Sequence, residues 1–554
     1  MAFIYESGLS QLARFDHNSE RDHLLDRLVG LGHMSYPHSS IRYQSLMHLV
    51  DNDSDISGAS QIDQADMKGL LMSIPERTRF ISDTLRLESK PKKGWLSNFY
   101  QDPYSFFVLD QEDLFLKIDP VLHFQLGDDT QSEDFIFQNT RGIKIRGLLD
   151  DKVYFYSSIF ENQQQFLPHI EDEIERIGVI PGQGFFRPYQ SGVIDDVNGW
   201  DFLNAQGYVG WKLSKSIDVH LGHGRDFIGN GMRSMLLSEY ANNYFYLQFN
   251  TRVSIFHLQN TFAELSATGS RDNIGDRLLP KKYMASHYLD IQISPRWSIG
   301  LFESVIFSRG EGLELQYLNP VILYRTVEQV LDSPDNVLLG LNTSYHILPG
   351  VQLYGQLMID ELRTDQAFSG NGWWGNKIGY QLGLKAYDIL DISQLDIQAE
   401  LNSARPYTYA HRDDDLSVLP LTSYTHFNQA LAHPYGANFR EFLFKVSYRP
   451  LPRLQLRGLF HMATYGDDPD INVGRDILKN YANRESDTGN FTGQGIRHDV
   501  SAIYLTASWT LAPSYFVDVQ YIYRNENIEN DITQKTKYIG LGFRANVSTT
   551  RSIL

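Results

Sequence analysis

Apolar and polar residues alternate with a period of two through most of the chain from about Leu114 onward. Near the C-terminus, the odd-numbered residues from Ile539 to Val547 are apolar, and the even-numbered residues between them are Gly, Gly, Arg and Asn. Further runs of this kind lie at 351–360, 395–402, 503–509 and 517–524. Successive side chains of a strand point to opposite faces, so each run predicts a strand with one apolar and one polar face.

Strand length and connection length together indicate a membrane barrel. Many runs reach 11 or more residues, which exceeds the usual five to six of soluble strands, and Tyr or Trp often marks their ends. Short turns at 294–296, 348–350, 449–452 and 512–513 alternate with long polar connections such as 402–440 and 466–497. We therefore predict an all-β fold, a transmembrane antiparallel β-barrel of about 18 strands, with a range of 16 to 20. A soluble all-β protein is the alternative.

The N-terminal part of the chain has a different pattern, and we predict a small, mostly helical region at 1–110 followed by the barrel at 111–554. Ser19 can cap a first helix, a second is expected at about 40–50, and a third runs from about 63 to 74 and stops at Pro75. Lys90–Lys93 looks like a linker. This region is either a small soluble subdomain or a cap or plug at the periplasmic mouth of the barrel.

Composition narrows the class of function. The 554 residues include no cysteine, so disulfides and thiolate metal sites are excluded. The net charge is −18 without a long basic run, which argues against a nucleic-acid partner. No apolar run is long enough for a transmembrane helix. The first residues lack the features of a signal peptide, and we expect that one has been removed from an outer-membrane protein.

Five motifs carry a family resemblance. They are the stretch Gly222–Leu237 and the segments 279–289, 301–307, 315–325 and 431–439. Together they resemble the large outer-membrane proteins of the Bacteroidetes related to gliding-motility protein RemB, which are similar to the capsule assembly Wzi family. The Wzi resemblance implies an 18-stranded barrel with a helical N-terminal part that binds capsular polysaccharide at the cell surface. The RemB resemblance implies a role in gliding motility or in surface-adhesin assembly.

The stretch Gly222–Leu237 combines four glycines with His223, Arg225, Asp226 and Arg233. The spacing does not fit a dinucleotide-binding loop, which needs a preceding strand, a following helix and a later acidic residue. Glycine also permits bends and close backbone approach in barrel strands. We expect the four charged or titratable side chains in the lumen, either paired with one another so that they close it or in contact with a glycan.

A second group of charges lies around the 301–325 motifs, namely Glu303, Arg309, Glu311, Glu314 and Arg325. Paired carboxylates could serve glycoside hydrolysis, but a charge network that closes the lumen is the favoured interpretation. Strict alternation places Glu303 on the outward face with Trp297 and Leu301, and a β-bulge would resolve this conflict.

Two predicted loops carry aromatic and polar residues suited to sugar binding. Segment 368–375 places Trp373 and Trp374 between glycines, either as stacking surfaces for a pyranose or as part of an interfacial aromatic girdle. The long, His-rich connection that begins near residue 402 could fold into the lumen or cover its mouth. Its candidate ligand-binding residues are Arg405, Tyr407, His433 and Asn438.

No catalytic motif or resident cofactor is expected, apart from a weak calcium candidate at Asp468, Asp470 and Asn472. The expected partners are outer-membrane lipid, surface polysaccharide and other outer-membrane or surface proteins. The sequence thus favours a non-enzymatic barrel for polysaccharide attachment or surface assembly. A substrate-specific porin is the main alternative, and a barrel enzyme acting on lipid or glycan is a further one.

Overall fold

The computed structural model describes residues 17–35, 37–42, 56–76, 104–130, 135–191, 198–268, 279–308, 314–321, 323–331, 335–367, 369–412, 422–530 and 533–548. The predicted linker at 90–93, Arg309 and Glu311 lie outside these ranges, as does most of the predicted helix at 40–50. None of the helices in the described parts of the chain is both long enough and apolar enough to cross a membrane.

The described ranges contain five α-helices. They are α1 (Glu20–Gly30), α2 (Gln61–Met72), α3 (Pro168–Ile177), α4 (Tyr324–Leu331) and α5 (Thr364–Ala367). The hydroxyl of Ser19 accepts a hydrogen bond from the Asp22 backbone N–H, which confirms the predicted cap of α1. Ser60 caps α2 in the same way, and the helix begins at Gln61, two residues before its predicted start.

Eighteen strands form the barrel wall. The first nine are β1 (Leu114–Asp129), β2 (Phe135–Leu149), β3 (Val153–Gln164), β4 (Asn198–Lys212), β5 (Ile217–Gly224), β6 (Tyr244–Val253), β7 (Phe256–Ser266), β8 (Lys281–Ser294) and β9 (Trp297–Phe307). The other nine are β10 (Asn336–Leu348), β11 (Val351–Glu361), β12 (Lys377–Ala386), β13 (Leu395–Ala404), β14 (Phe439–Leu451), β15 (Leu454–Asp467), β16 (Ile496–Ala512), β17 (Tyr515–Ile528) and β18 (Gln534–Ala545).

The wall is closed, because β18 pairs with β1 over Leu122–Asp129 and every neighbouring pair in the ring is antiparallel. The sheet has twenty strands in all, and the two short strands at 107–111 and 186–190 only extend the edges of β1 and β4, which leaves eighteen in the ring. The predicted fold class is therefore confirmed. Two further short strands, 425–426 and 429–430, form a small hairpin in a connection.

The two rims of the barrel differ, as the sequence predicted. One rim carries short turns such as 349–350, 452–453 and 513–514, and we call it the short-turn rim. The other carries the longer connections, and we call it the long-loop rim. Its main connections are 165–197, 225–243, 308–335, 405–438 and 468–495.

Alternation of burial along the strands separates the lipid face from the lumen. In β18, Ile539 and Leu541 are exposed on the outside, whereas Tyr538 and Arg544 are buried. In β13, Asp396, Gln398, Glu400 and Asn402 are all buried inside, in agreement with the predicted polar face. An outward apolar face is what contact with lipid requires.

The lumen is packed and is not uniformly polar, which corrects the simple two-face expectation. A buried apolar cluster lies inside the barrel, with wall residues that include Met284, Phe302, Ile306, Leu338 and Met358. Residues 235–237 of the connection between β5 and β6 belong to the same cluster. Long-range contacts between wall and loop therefore decide which inward positions are apolar.

Candidate functional site in the closed lumen

The connection 225–243, called the inner loop here, folds into the lumen and binds the barrel wall through its backbone. The Glu400 carboxylate accepts hydrogen bonds from the N–H groups of Met232, at 2.6 Å, and Arg233, at 3.0 Å. Tyr354 donates its hydroxyl to the same carboxylate at 2.8 Å. One buried side chain of β13 thus fixes two consecutive peptide groups of the loop, which satisfies donors that burial would otherwise penalise.

Gln356 of β11 binds the inner loop at two points. Its amide oxygen accepts from the Met235 N–H at 2.7 Å, and its amide nitrogen donates to the Ile228 carbonyl at 3.0 Å. On β12, Gln381 donates to the Arg233 carbonyl at 2.8 Å. The loop is therefore attached to three adjacent strands of the wall, β11 to β13.

Glu441 of β14 lies at the centre of a buried polar network. Its carboxylate contacts Arg233 at 3.2 Å, His433 at 2.8 Å and His461 at 3.2 Å, and it accepts from the Asn402 amide at 2.9 Å. Burial lowers the pKa of His433 to about 4, more than the attraction of Glu441 raises it. His433 is therefore neutral near pH 7, and the charge of Glu441 is balanced by Arg233.

The N-terminal region meets the inner loop from the side of the short-turn rim. Arg42 donates to the Gly229 carbonyl at 3.0 Å, and His17 contacts the Gly231 carbonyl at 3.0 Å. In the opposite direction, the Gly229 N–H donates to the Ser40 carbonyl at 2.8 Å. Together, the inner loop and the N-terminal residues fill the middle of the lumen.

Helix α1 is held to the wall near the short-turn rim by ion pairs. Buried Arg27 contacts Asp63 of α2 at 3.0 Å, Asp388 at 2.7 Å and Asp396 at 2.5 Å. At the other end of the helix, Glu20 contacts Arg457 at 3.0 Å and Arg544 at 2.8 Å. Burial alone would raise the pKa of Glu20, but these two guanidinium groups lower it to about 2.

Three of the four predicted residues of the Gly222–Leu237 stretch take part in closing the lumen. Asp226 is buried and accepts from the side-chain amides of Gln248, at 2.7 Å, and Gln259. Arg225 donates to the carbonyls of Gly182, at 3.1 Å, and Glu239, at 2.9 Å. With Arg233 on Glu441, these contacts order the loop. A glycan contact for these residues stays a prediction.

His223 does not lie in the lumen, and that part of the prediction is wrong. It is exposed on the outward face of β5, where it pairs with Phe245 of β6 and follows exposed Leu221. The alternation of β5 places Asp218, His220 and Gly222 inside. The strand continues without a bulge through Gly224, so His223 keeps the parity of Leu221.

The predicted charge network of Glu303, Glu314 and Arg325 is also corrected. Glu303 points outward as alternation requires, and β9 and β10 pair in continuous register past it, so no bulge is present. Its carboxylate accepts from the N–H groups of Tyr324, at 2.9 Å, and Arg325, at 3.1 Å. Helix α4 covers this acid from outside the barrel. Glu314 precedes α4 in the same connection between β9 and β10. The Arg325 side chain pairs with Glu328 at 2.5 Å.

Trp373 and Trp374 lie at the long-loop rim in different surroundings. Trp374 packs against Tyr481, with ring centres 4.7 Å apart, and the guanidinium of Arg484 lies 4.2 Å from its ring. Trp373 is half-buried and has Arg363 at 5.4 Å. Trp374 therefore joins two connections to each other, while Trp373, also half-buried, lies beside Arg363 and Trp374.

The other predicted loop residues hold the long-loop rim together. Arg405 donates to the Asn376 carbonyl at 2.8 Å, and the Tyr407 hydroxyl donates to the Asn472 carbonyl at 3.1 Å. Asn438 is buried in the left-handed conformation and donates to the carbonyls of Gly466 and Gln494, both at 2.8 Å. Tyr409, Tyr424 and Leu431 of this connection belong to the same buried apolar cluster as the lumenal wall residues.

The candidate calcium ligands are engaged with the backbone of their own loop. One Asp468 oxygen accepts from the Val473 N–H at 3.0 Å and from the Arg475 N–H at 3.2 Å. Asn472 accepts from the Gly474 N–H at 2.9 Å, and Asp470 is exposed. Across the described ranges of the chain, no cluster of three or more acidic or His side chains is arranged to hold a metal ion. The calcium site stays a prediction.

The residues that organise the site most strongly were not among the predicted ones. They are Gln356, Gln381, Glu400, Glu441 and His461. The alternation of each strand places these five residues inside the barrel, and this was the signal that the sequence offered for them. Which lumenal side chain meets which loop residue depends on contacts far apart in sequence, and alternation carries no information on these.

Comparison with known proteins gives one useful likeness. No protein-family model matches the chain, and no curated protein matches it in sequence. A solved structure of Wzi, an outer membrane protein involved in group 1 capsule assembly in Escherichia coli and a carbohydrate-binding β-barrel, has a TM-score of 0.58 at 11% identity, over 98% of this chain and 100% of that one. This likeness shows the fold.

A second solved structure, OprD from Pseudomonas aeruginosa, has a TM-score of 0.42 at 9% identity, over 79% of this chain and 98% of that one. A likeness at this TM-score carries no argument about function.

Proposed function

We propose that this protein is a sealed outer-membrane barrel that holds surface polysaccharide at its long-loop rim, without catalysing a reaction. The observation that carries the proposal is the inner loop, which is bonded to β11, β12 and β13 and fills the lumen. A barrel filled in this way is suited to binding at its rim rather than to passage of solutes. The long-loop rim faces the cell exterior in outer-membrane barrels.

Two further observations support a glycan as the ligand. The protein with a similar fold, Wzi, is a carbohydrate-binding barrel involved in capsule assembly. The long-loop rim of this chain also presents half-buried Trp373 beside exposed Arg363, and a flat aromatic ring can stack on the apolar face of a pyranose. The gliding or adhesin-assembly role rests on the sequence resemblance alone.

Detergent-purified protein tests the proposal through glycan binding. We expect binding to capsular polysaccharide fragments, and Trp373→Ala should weaken it several-fold while the fold is retained. Trp297→Ala is the matched control, because Trp297 lies on the lipid-facing side of β9 and should leave glycan affinity unchanged. Equal effects of both substitutions, or no binding by the unmodified protein, would count against a glycan function.

Conductance distinguishes the porin alternative in the same preparation. Planar bilayers containing the unmodified protein should remain silent, because the inner loop occupies the lumen. Regular conductance steps would favour a substrate-specific porin instead. For the enzyme alternative, the barrel wall separates Asp226, which is inside, from Glu303 and Glu314, which lie on the outer side.

A further inference from the structure

The segment 314–331, called the outer segment here, lies against the lipid-facing side of the barrel near the long-loop rim. Its buried residues Tyr317, Tyr324 and Val327 pack on outward side chains of the wall. Those wall residues are Ala285, Val305, Phe307 and Val337, with Phe262 and Tyr283 beside them. The inward residues of β9, by contrast, belong to the lumenal cluster. The outer segment therefore covers part of the wall from outside.

Specific contacts hold the outer segment in place. The Glu303 carboxylate accepts from the first two N–H groups of α4, where unpaired donors and the helix dipole favour a negative charge. The Tyr324 ring lies 4.1 Å from that of His287, and the Tyr317 hydroxyl donates to Asp335 at 2.7 Å. One face of the segment is thus fully engaged with the wall.

The opposite face of the outer segment is exposed and carries three large apolar side chains among polar ones. Leu315, Val321 and Leu323 are 70%, 79% and 65% exposed, more than the lipid-facing residues of β9 that remain uncovered. Single exposed apolar residues are common, but three within nine residues on a membrane-facing wall form a continuous feature. Arg325 is also exposed and pairs with Glu328, which adds a charged edge beside these side chains.

The outward apolar side chains of the wall form a belt that contacts lipid. The height of this belt indicates what covers the exposed face of the outer segment. On β9 the uncovered outward residues extend only from Trp297 to Leu301, roughly 13 Å along the strand at about 3.3 Å per residue. A strand that crosses a membrane needs about 9–11 residues. On β16 the exposed apolar residues extend from Ile503 to Leu511. On β9 the belt of uncovered apolar side chains therefore ends at Leu301, whereas on neighbouring β10 it extends from Leu339 to Ile347. Beyond Leu301, the outer segment covers the apolar wall residues Val305 and Phe307 of β9.

We propose that the outer segment continues the lipid-facing belt, with Leu315, Val321 and Leu323 in contact with acyl chains of the leaflet at the long-loop rim. The segment is a membrane-contacting appendage built on the outside of a strand wall, and Glu303 is the wall residue that fixes its helix.

Site-directed spin labelling tests this proposal, and the chain is suited to it because it contains no cysteine. Leu323→Cys and Val321→Cys are labelled in protein reconstituted into phosphatidylethanolamine and phosphatidylglycerol vesicles. Leu301→Cys provides the lipid-facing control. Phe491→Cys, at an exposed position of the connection 468–495, provides the aqueous control. Accessibility is measured to oxygen, which concentrates in lipid, and to a nickel chelate, which stays in water.

We expect the labels at 321 and 323 to resemble the label at 301, with oxygen accessibility above nickel accessibility. Labels that resemble position 491 would overturn lipid contact and leave these side chains for a protein partner. Leu315→Cys gives a third position if one variant fails to fold. In addition, Glu303→Gln should increase the mobility of the label at 323, whereas Glu264→Gln, in an exposed pair with Lys281, should not. An unchanged label in Glu303→Gln would contradict the role of Glu303.

Discussion

Gly229 has a φ of 141°, a conformation that side chains of L-residues rarely adopt, and a Cβ atom there would lie 2.4 Å from the Gln356 amide nitrogen. Gly229→Ala should therefore lower the free energy of unfolding by about 1–3 kcal/mol. Urea titration of vesicle-bound protein, followed by tryptophan fluorescence, measures the change. Gly370→Ala is the control, since Gly370 also has positive φ but no atom near its Cβ position. Equal losses would show that packing against Gln356 contributes nothing.

Buried Glu441 balances the charge of Arg233, whose side chain is largely buried. Glu441→Gln leaves that guanidinium buried without its carboxylate, and breaking a buried pair in this way costs about 3–5 kcal/mol. The same unfolding assay should show a loss of this size. Glu161→Gln breaks an exposed pair with Arg141, and its effect should stay within about 1 kcal/mol. A small loss for Glu441→Gln would mean that the network adapts to the missing charge.

At the scale of single residues, strand alternation predicted orientation well and contacts poorly. It placed Glu400 and Asn402 inside, and it placed Glu303 outside, where the structure finds it. The expected bulge at Glu303 was wrong because a helix from another part of the chain supplies the partners of this acid. The prediction for His223 was wrong because the glycines around it do not interrupt β5. The alternation of the strand continues through this position and places His223 outside.

The inner loop is the element that closes the barrel. Replacing residues 227–236 with a short Gly-Ser linker removes the hydrogen-bonded contacts with Gln356, Gln381 and Glu400. Because an 18-stranded barrel is wide enough to enclose a channel, the variant should conduct ions in planar bilayers where the unmodified protein is silent. A control variant shortened in the outer segment at 315–323 should stay silent. Silence of both variants would assign closure to the N-terminal region and the connection 405–438.

The secondary-structure elements were predicted more completely than the positions of the connecting segments in the fold. Long alternating runs, short turns and the Ser19 cap are local signals, and the corresponding strands, turns and helix are present. The positions of the inner loop and of the outer segment gave no comparable local signal in the sequence. Both follow a strand at the long-loop rim, yet one folds into the lumen and the other onto the lipid face. The residues that decide the two positions, such as Gln356 and Glu303, are distant from these segments in sequence or bind their backbone groups.

Three histidines of the connection 405–438 should make the whole molecule sensitive to acid. His426 and His433 are buried, and His411 is half-buried. Burial lowers the pKa of His411 and His433 to about 4 and that of His426 to about 3. The His426 ring accepts from the Ser266 N–H at 2.9 Å and contacts the Asn243 carbonyl at 3.1 Å, an arrangement that suits the neutral ring. Protonation is therefore favoured in the unfolded chain, where the pKa is near 6.5.

The sign of the pH effect follows from this difference. Above about pH 6.5 these rings are neutral in both states, and stability is greatest. As the pH falls towards 4, the unfolded chain binds protons that the folded protein does not, so the free energy of unfolding decreases by up to about 1.4 kcal/mol per pH unit for each ring. Urea titrations at pH 7.5, 6 and 5, chosen as roughly spanning this window, measure the trend, and His426→Gln should reduce its slope. A stability that stays constant over this window would contradict the burial of neutral histidines.

At the scale of the whole molecule, Arg27 and Glu20 of α1, together with Arg42, connect the N-terminal region to the barrel. The division of the chain into 1–110 and 111–554 as separate units stays a prediction. The ion pairs around Arg27 join α1, α2 and the turn between β12 and β13 across a sequence separation of more than 300 residues. No local pattern could have indicated that association.

The sequence by itself determined the period of two, the long strands and the alternation of turn lengths, and these are sufficient for a membrane barrel of about 18 strands. The reason is that lipid contact on one face acts on every strand separately, so each strand carries the signal. Closure of the lumen was decided only in the tertiary structure. It depends on Glu400, Gln356 and Glu441 meeting the inner loop, and such contacts arise only when the ring of strands has brought distant residues together.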